Sequence, residues 1–290
     1  MPYDSYADDT QAYQVIKPEG DWDDLSDRLK ACLSEISDWM TSNMLKLNQD
    51  KTELIVFAPK HRVKQLSKYE LPFDGTILSD ANCVRNLGVF FDKTLSMEQQ
   101  VTAVSKSCYH QIRTIGNIRS YITENACKTL VCSLVTSRLD YGNALLYNVN
   151  SSTIARLQRV QNTAARLITR KRKFDSITPV LMQLHWLPVK YRSHFKLLLY
   201  VFKALHDKAP KYLEELIVPY APIRTLRSEN EGLITKPRDV RTKTYGERRF
   251  DRAGATLWND LPIHLRKEQS LPRFKKGLKT HIFRLAYCDV

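Results

Sequence analysis

The sequence predicts an α+β N-terminal region followed by a long all-α region. Three observations carry that expectation. β-prone runs broken by turn residues are confined to residues 1–92. From Leu95 onward, apolar residues recur at three- and four-residue spacings in successive stretches. Charge divides near the same place: residues 1–100 hold 11 Lys/Arg against 17 Asp/Glu, whereas 101–290 hold 34 against 14.

The opening, Met1 to Gln14, reads as strand–turn–strand with Tyr6-Ala7-Asp8-Asp9 at the turn. Asp favours turns, and Thr10, Tyr13 and Val15 suit the returning strand. A helix is expected from Trp22 to Met44. Trp22, Leu25, Leu29, Cys32, Leu33, Ile36, Trp39 and Met40 form one apolar face, Asp21 is the expected N-cap, and Asp23 and Asp24 suit the helix dipole. Leu45–Asn48 and Thr52–Phe57 read as two strands around an Asn-Gln-Asp-Lys turn. Val84–Phe91 is a further β-prone run, interrupted by Gly88.

Three helices follow, over 95–120, 123–140 and 151–169, with Thr123 and Ser151 as cap residues at the breaks. They predict a helical bundle. The basic run Arg170-Lys171-Arg172-Lys173 marks a boundary. Residues 176–217 are again helical, punctuated by Pro179, Pro188 and Pro210. The Pro-, Thr- and Arg-rich stretch 219–245 is expected to be a long loop, and helices over 251–260 and 271–287 close the sequence. The domains this gives are 1–92, 93–173 and 174–290.

Composition bounds the function. The 290 residues are 43% hydrophobic and 26% charged, enough apolar material for one large or two small domains and too much for a disordered chain. No apolar run approaches the roughly 18 residues of a membrane span. The acidic first 30 residues lack the apolar core of a signal peptide, so no membrane partner and an intracellular location are expected, nuclear or cytoplasmic unresolved. The six scattered cysteines read as reduced core thiols. No Cys-x-x-Cys spacing is present, so no zinc site is expected. The net charge of +14 is concentrated beyond residue 100, and Arg156–Lys211 holds 13 basic residues against Asp175 and Asp207. Such a field attracts polyanions, nucleic acid first among them. The alternative is a set of solvated helix faces.

Asp8 and Asp9 carry the chemical signal. Adjacent carboxylates at a turn are too costly to bury unpaired, so they face solvent or bind a cation. A hard divalent ion such as Mg²⁺ takes oxygen ligands, commonly one or two carboxylates with water and substrate phosphates.

Tyr6-Ala7-Asp8-Asp9-Thr10-Gln11 resembles the reverse-transcriptase palm segment that holds two of three catalytic aspartates. Trp39 through Leu45–Asn48 to Lys51-Thr52-Glu53 resembles the palm segment that follows, and Leu87-Gly88-Val89 the primer-grip hairpin. Leu139-Asp140-Tyr141-Gly142, Gln158–Leu167 and His185-Trp186-Leu187-Pro188-Val189 resemble the thumb and downstream region. So do Leu257–Pro262 and Ser270–Lys275. Together they resemble, in order, the C-terminal part of a LINE-type (non-LTR) retrotransposon reverse transcriptase.

That resemblance implies a truncated polymerase palm, a short antiparallel sheet plus a helix, followed by a helical thumb and a mostly helical C-terminal domain. It implies Asp8 as a ligand of Mg²⁺ or Mn²⁺, with Asp9 ligating more loosely or orienting the site, and Tyr6 against the primer end. Lys51 would be a cation or general acid near the leaving pyrophosphate, the alternative being a solvated turn lysine at a strand start. Gly88 would admit the primer backbone or simply form a β-bulge. Arg156, Arg159, Arg166 and Arg170 would line one side of a thumb helix, with Lys171, Arg172 and Lys173 beside them. An RNA template and a DNA primer are the implied partners. A further aspartate strand and the fingers would precede Tyr6, so little or no polymerisation by this chain alone is expected. The alternative function is a non-catalytic nucleic-acid-binding module derived from such an enzyme.

Overall fold

The computed structural model describes residues 2–16, 22–63, 69–221, 231–240, 242 and 245–288. The chain is α+β and divides into two compact units, residues up to Gln99 and residues from Gln100. Among the described residues no helix is long and apolar enough to cross a membrane.

Among its described residues the first unit holds three separate two-stranded antiparallel ribbons. Strands β1 (Tyr3–Tyr6) and β2 (Asp9–Ala12) pair from Tyr3↔Ala12 to Tyr6↔Asp9, leaving Ala7 and Asp8 as a two-residue turn. Ala7 adopts φ 54, a left-handed conformation that a residue with a Cβ takes only at a cost. Helix α1 spans Trp22–Ser42 with Asp23 and Asp24 in its first turn; the expected cap Asp21 lies outside the described residues. Trp22 packs on Tyr69 with ring centroids 4.3 Å apart. Leu29 and Leu33 cover a small core of Leu71, Phe73 and Leu78. Leu25 is buried as well, but towards the end of the helix the expected apolar face is poorly covered, Trp39 remaining 61% exposed.

Two expected strands do not form as expected. Leu45 belongs to the end of α1: Met44 turns left-handed (φ 57), and the Leu45 N–H donates to the Met40 carbonyl at 2.8 Å, which closes the helix and takes Leu45 out of any ladder. Gln49–Lys51 then forms a 3₁₀ turn. Thr52–Phe57 makes one isolated bridge, Leu54 to Asp80. It is fixed instead by a side chain: the Val56 N–H donates to Asp80 Oδ1 at 3.0 Å, and Asp80 Oδ2 accepts from Lys93 Nζ at 2.6 Å.

The sheet that packs α1 is a different hairpin, β3 (Glu70–Phe73) and β4 (Thr76–Ser79), turning at Asp74-Gly75. Both turn residues have positive φ (44 and 77), the geometry for which Asp-Gly is a strong signal. The short helix α2 spans Lys60–Val63. Strands β5 (Cys83–Asn86) and β6 (Val89–Asp92) form the third ribbon, with Leu87 and Gly88 as its turn at φ 44 and 79. Gly88 is thus a turn residue and not a bulge. Asp92 then accepts hydrogen bonds from the N–H groups of Thr94, Ser96 and Met97 and from both hydroxyls, ordering the entry to α3 (Glu98–Ile118).

In the second unit, α4 (Glu124–Val131) and α5 (Ser137–Asp140) are joined by a wide π turn over Cys132–Thr136, where the Ser137 N–H reaches back to the Cys132 carbonyl. Helix α6 runs Ser151–Thr169 and α7 Thr178–Gln183, and α8 runs Val189–Leu205. The Pro188 and Pro179 punctuation falls at helix starts, where a missing N–H is harmless. Helices α9 (Lys211–Glu214), α10 (Phe250–Asn259), α11 (Ile263–Arg266) and α12 (Leu271–Tyr287) complete the chain. Val201, Phe202, Trp258, Phe274, Leu278 and Ile282 form a core in which Phe202 stacks on Phe274 at 4.3 Å. The helices of 100–173 and those of 174–290 share this one unit. Of the cysteines, Cys108 and Cys127 are core residues, while Cys132 and Cys288 are exposed.

Candidate nucleic-acid interface

The β1–β2 ribbon displays its acids openly. Every residue of both strands is exposed, Tyr6 to 68%. Tyr6 and Asp9 lie directly opposite one another, so their side chains share a face of the ribbon, and Asp8 occupies the adjacent turn. Among the described residues, no cluster of three or more His, Cys, Asp or Glu forms a metal cage. The donor set at this tip is two neighbouring carboxylates. That suits a hard cation whose remaining ligands come from water and phosphate oxygen. Lys51 and Gly88 stand on other turns of the unit, Lys51 exposed on the 3₁₀ turn and Gly88 between β5 and β6.

The basic series starts on α6. Asn150 caps this helix, its side-chain oxygen accepting from the Ser152 N–H at 3.1 Å. Leu157, Val160, Ala164 and Ile168 are buried along one side. At 100° per residue, Arg156, Arg159 and Arg166 fall within an arc of about 80° away from that side. Their tasks differ. Arg159 is exposed, whereas Arg156 donates to Thr102 Oγ1 at 2.9 Å. Arg166 donates to the carbonyls of Arg172 (3.3 Å) and Asp175 (3.2 Å). Arg170 terminates the helix in a left-handed conformation and donates to the Arg119 carbonyl at 3.1 Å. Lys171, Arg172 and Lys173 are exposed on the loop that follows, which Asp175 closes by accepting the Arg172 N–H at 2.7 Å.

Arg119 escaped the sequence reading. Its buried guanidinium donates to the carbonyls of Leu167 (2.9 Å) and Ile168 (2.7 Å) at the end of α6 and to that of Ile122 (2.9 Å). A cation there satisfies orphan carbonyls and complements the negative end of the helix dipole. Its helical partners lie 48 and 49 residues away, so no local spacing announces it.

The motif segments of the helical unit are likewise joined by hydrogen bonds. Arg192 holds Asp140, Gln161 Nε2 donates to the Leu187 carbonyl at 2.8 Å, and the Val189 N–H donates to Gln158 Oε1 at 2.9 Å. Asn259 pairs its amide with both backbone groups of Ile234, at 2.9 and 3.0 Å, while Trp258 Nε1 donates to the Gly232 carbonyl at 2.8 Å. These side chains fix backbone outside the helices or, at Val189, at a helix start, that of Ile234 alongside its isolated bridge to Pro219.

The titrating groups here are structural. Burial, with Lys190 beside it, pushes His194 down to about 4. Burial pushes the Cys108 thiol up to about 11, against the pull of Arg138. Neither is poised for proton transfer at neutral pH.

Over 146 residues the chain is 29% identical to a probable RNA-directed DNA polymerase from transposon BS of Drosophila melanogaster. The match covers 49% of this chain and 16% of that protein. About half of the chain is therefore similar to a transposon reverse transcriptase. No family model matches the chain. No solved structure matches it.

Proposed function

We propose that this chain is part of the reverse transcriptase of a non-LTR retrotransposon, drawn from its C-terminal portion. In this reading the region to residue 92 belongs to the palm, 93–173 to the thumb and 174–290 to a basic C-terminal domain. The observation that carries the proposal is the exposed Tyr6-Ala7-Asp8-Asp9 tip of an antiparallel ribbon in a chain similar to an RNA-directed DNA polymerase. Asp8 and Asp9 would donate carboxylate oxygens to Mg²⁺ or Mn²⁺, and the bound ion would stabilise charge on the attacking and leaving oxygens of nucleotidyl transfer. Tyr6, on the same face as Asp9, would contact the primer end. Lys51 would contribute positive charge near the departing pyrophosphate, and Gly88 would lie close to the primer strand. Arg156, Arg159, Arg166 and Arg170 to Lys173 would hold the phosphates of template and primer.

Primer extension tests this on an RNA template with a DNA primer. The whole element's polymerase is expected to extend the primer, with Asp8→Ala lowering the rate by at least about 100-fold, in keeping with loss of a transition-state-stabilising group. Extension unaffected by Asp8→Ala would refute the metal assignment.

A second reading is a non-catalytic nucleic-acid-binding module. It is favoured by the separate hydrophobic core and net positive charge of the helical unit, neither of which involves the acidic ribbon. Residues 1–290 binding duplex with strong salt dependence but extending no primer, in the whole polymerase's absence, would support it.

A further inference from the structure

We propose that the end of the helical unit where the α3–α4 corner meets the α6–α7 loop binds unpaired nucleic acid, with bases stacking on Phe174 and Tyr121. The proposal rests on the nucleic-acid reading above and adds to it the state of the strand and the residues that recognise it.

Phe174 is 94% exposed and Tyr121 87%, the two most exposed aromatic side chains among the described residues. Phe174 directly follows Arg170-Lys171-Arg172-Lys173. Lone exposed rings are ordinary on protein surfaces. These two are distinguished by the backbone that presents them. Arg166 clamps the carbonyls on either side of Phe174, those of Arg172 and Asp175, and the Asp175 carboxylate closes the same loop on the Arg172 N–H. Two residues before Tyr121, buried Arg119 pins its own corner through Ile122 and the end of α6. The Arg170 guanidinium, bonded to the Arg119 carbonyl at 3.1 Å, then ties one loop to the other. The rings are thereby held out beside a row of cations on loops already ordered, which lowers the entropy lost on binding.

Aromatic platforms interleaved with cations match a single strand, whose bases offer free faces and whose phosphates need positive charge. Paired bases keep their faces inside the stack and cannot use the rings. A lipid surface would ask for a continuous apolar face on an amphipathic helix. Here the apolar side of α6 is spent inside the unit, and the two rings stand on separate loops.

The test uses the full chain with a labelled single-stranded homopolymer of about 20 nucleotides, a duplex of equal length, and phosphatidylserine vesicles. Wild type is expected to prefer the single strand. Phe174→Ala and Tyr121→Ala should each lower single-strand affinity by about tenfold, with less than about twofold effect on duplex. Phe174→Leu, which keeps apolar bulk without a ring, should behave like Phe174→Ala. Phe174→Trp should retain binding and report it by quenching of the added indole. Lys171→Gln and Lys173→Gln should weaken both nucleic acids and each reduce the salt slope by about one. Single-strand binding unchanged in Phe174→Ala and Tyr121→Ala would overturn the stacking role while leaving the nucleic-acid reading intact. Binding of wild type to vesicles but to neither nucleic acid would overturn both.

Discussion

Arg192 closes on the carboxylate of Asp140, its Nη1 lying 3.0 Å from Oδ1 and 2.9 Å from Oδ2. The same guanidinium donates through Nε to the Leu187 carbonyl at 3.0 Å and lies 5.9 Å from the centre of the Trp186 ring. Asn143 adds a donor to Asp140 at 3.2 Å. One planar cation thus joins the end of α5 to the turn before α8, fixing two segments 52 residues apart. Only Arg offers the several directed donors this needs.

Arg192 should therefore be worth more than an ordinary surface cation. Arg192→Ala is expected to destabilise the chain by about 2 kcal/mol, below the 3–5 of a fully buried pair because Asp140 remains partly exposed. Arg192→Lys should recover only part, since an ammonium cannot serve Asp140 and Leu187 together. Chemical denaturation at neutral pH checks this; a loss under about 0.5 kcal/mol for the Ala variant would show the pair to be incidental.

The acidic ribbon should behave in the opposite way. Asp8 and Asp9 touch no core, and their ribbon is exposed throughout. Asp8→Ala and Asp9→Ala should each shift unfolding free energy by less than about 0.5 kcal/mol. Circular dichroism melts that stay put would establish that lost primer extension in these variants reflects chemistry and not folding.

How far the sequence disclosed these features follows the range of the forces involved. Helices α6 and α8 were legible because Leu157, Val160, Ala164 and Ile168, and likewise Leu198, Val201 and Phe202, repeat at helical spacing. The Asp74-Gly75 hairpin carries a local turn signal, but its flanking strands are only four residues each, with Leu71, Phe73 and Leu78 as the buried positions. Leu45 misled because its apolar character suits a strand, while a backbone bond to Met40 made it a helix cap. At the site, the Asp8-Asp9 turn and the Arg170–Lys173 run were visible as composition. Arg119 and the clamping role of Arg166 were not, because their acceptors are backbone carbonyls whose positions only the tertiary fold decides.

Arg119 yields a sharper stability test. Arg119→Ala would strip three buried or half-buried carbonyls of their donor and empty a cationic position at the end of α6. A loss of about 3 kcal/mol is expected, from an unmet buried acceptor and the helix-end charge together. Amide hydrogen exchange should rise first in the last turn of α6 and around Ile122. Uniform exchange with unchanged stability would refute the capping role.

Asp92 sets a pH dependence. Burial raises its carboxyl, but hydrogen bonds from the Thr94 and Ser96 side chains and from the Ser96 and Met97 N–H groups outweigh that and hold it below the ordinary 3.8. The folded state therefore binds this proton less readily than the unfolded state. Its stabilisation is fully present above 3.8 and is lost as pH falls through the lowered folded value. Asp92→Asn is expected to be less stable than wild type at pH 7, with the difference narrowing below pH 4. A constant difference across that range would refute the assignment.

Gly254 on α10 tests how closely two helices must approach. A Cβ built at this position would lie 2.7 Å from Val201 Cγ2 on α8, inside the contact distance of two carbons, with Ile217 Cδ1 at 3.6 Å. Val201 is itself fully buried and cannot swing into solvent. Gly254→Ala gains about 1 kcal/mol of helix propensity, yet overpacking costs about 1–3 kcal/mol, so net destabilisation is expected. Trimming the neighbour should reverse the sign of the interaction: Val201→Ala alone leaves a cavity, and adding Gly254→Ala to it should restore stability. A double-mutant cycle reads the coupling directly, and additive effects would mean that α10 moves away from α8 without resistance.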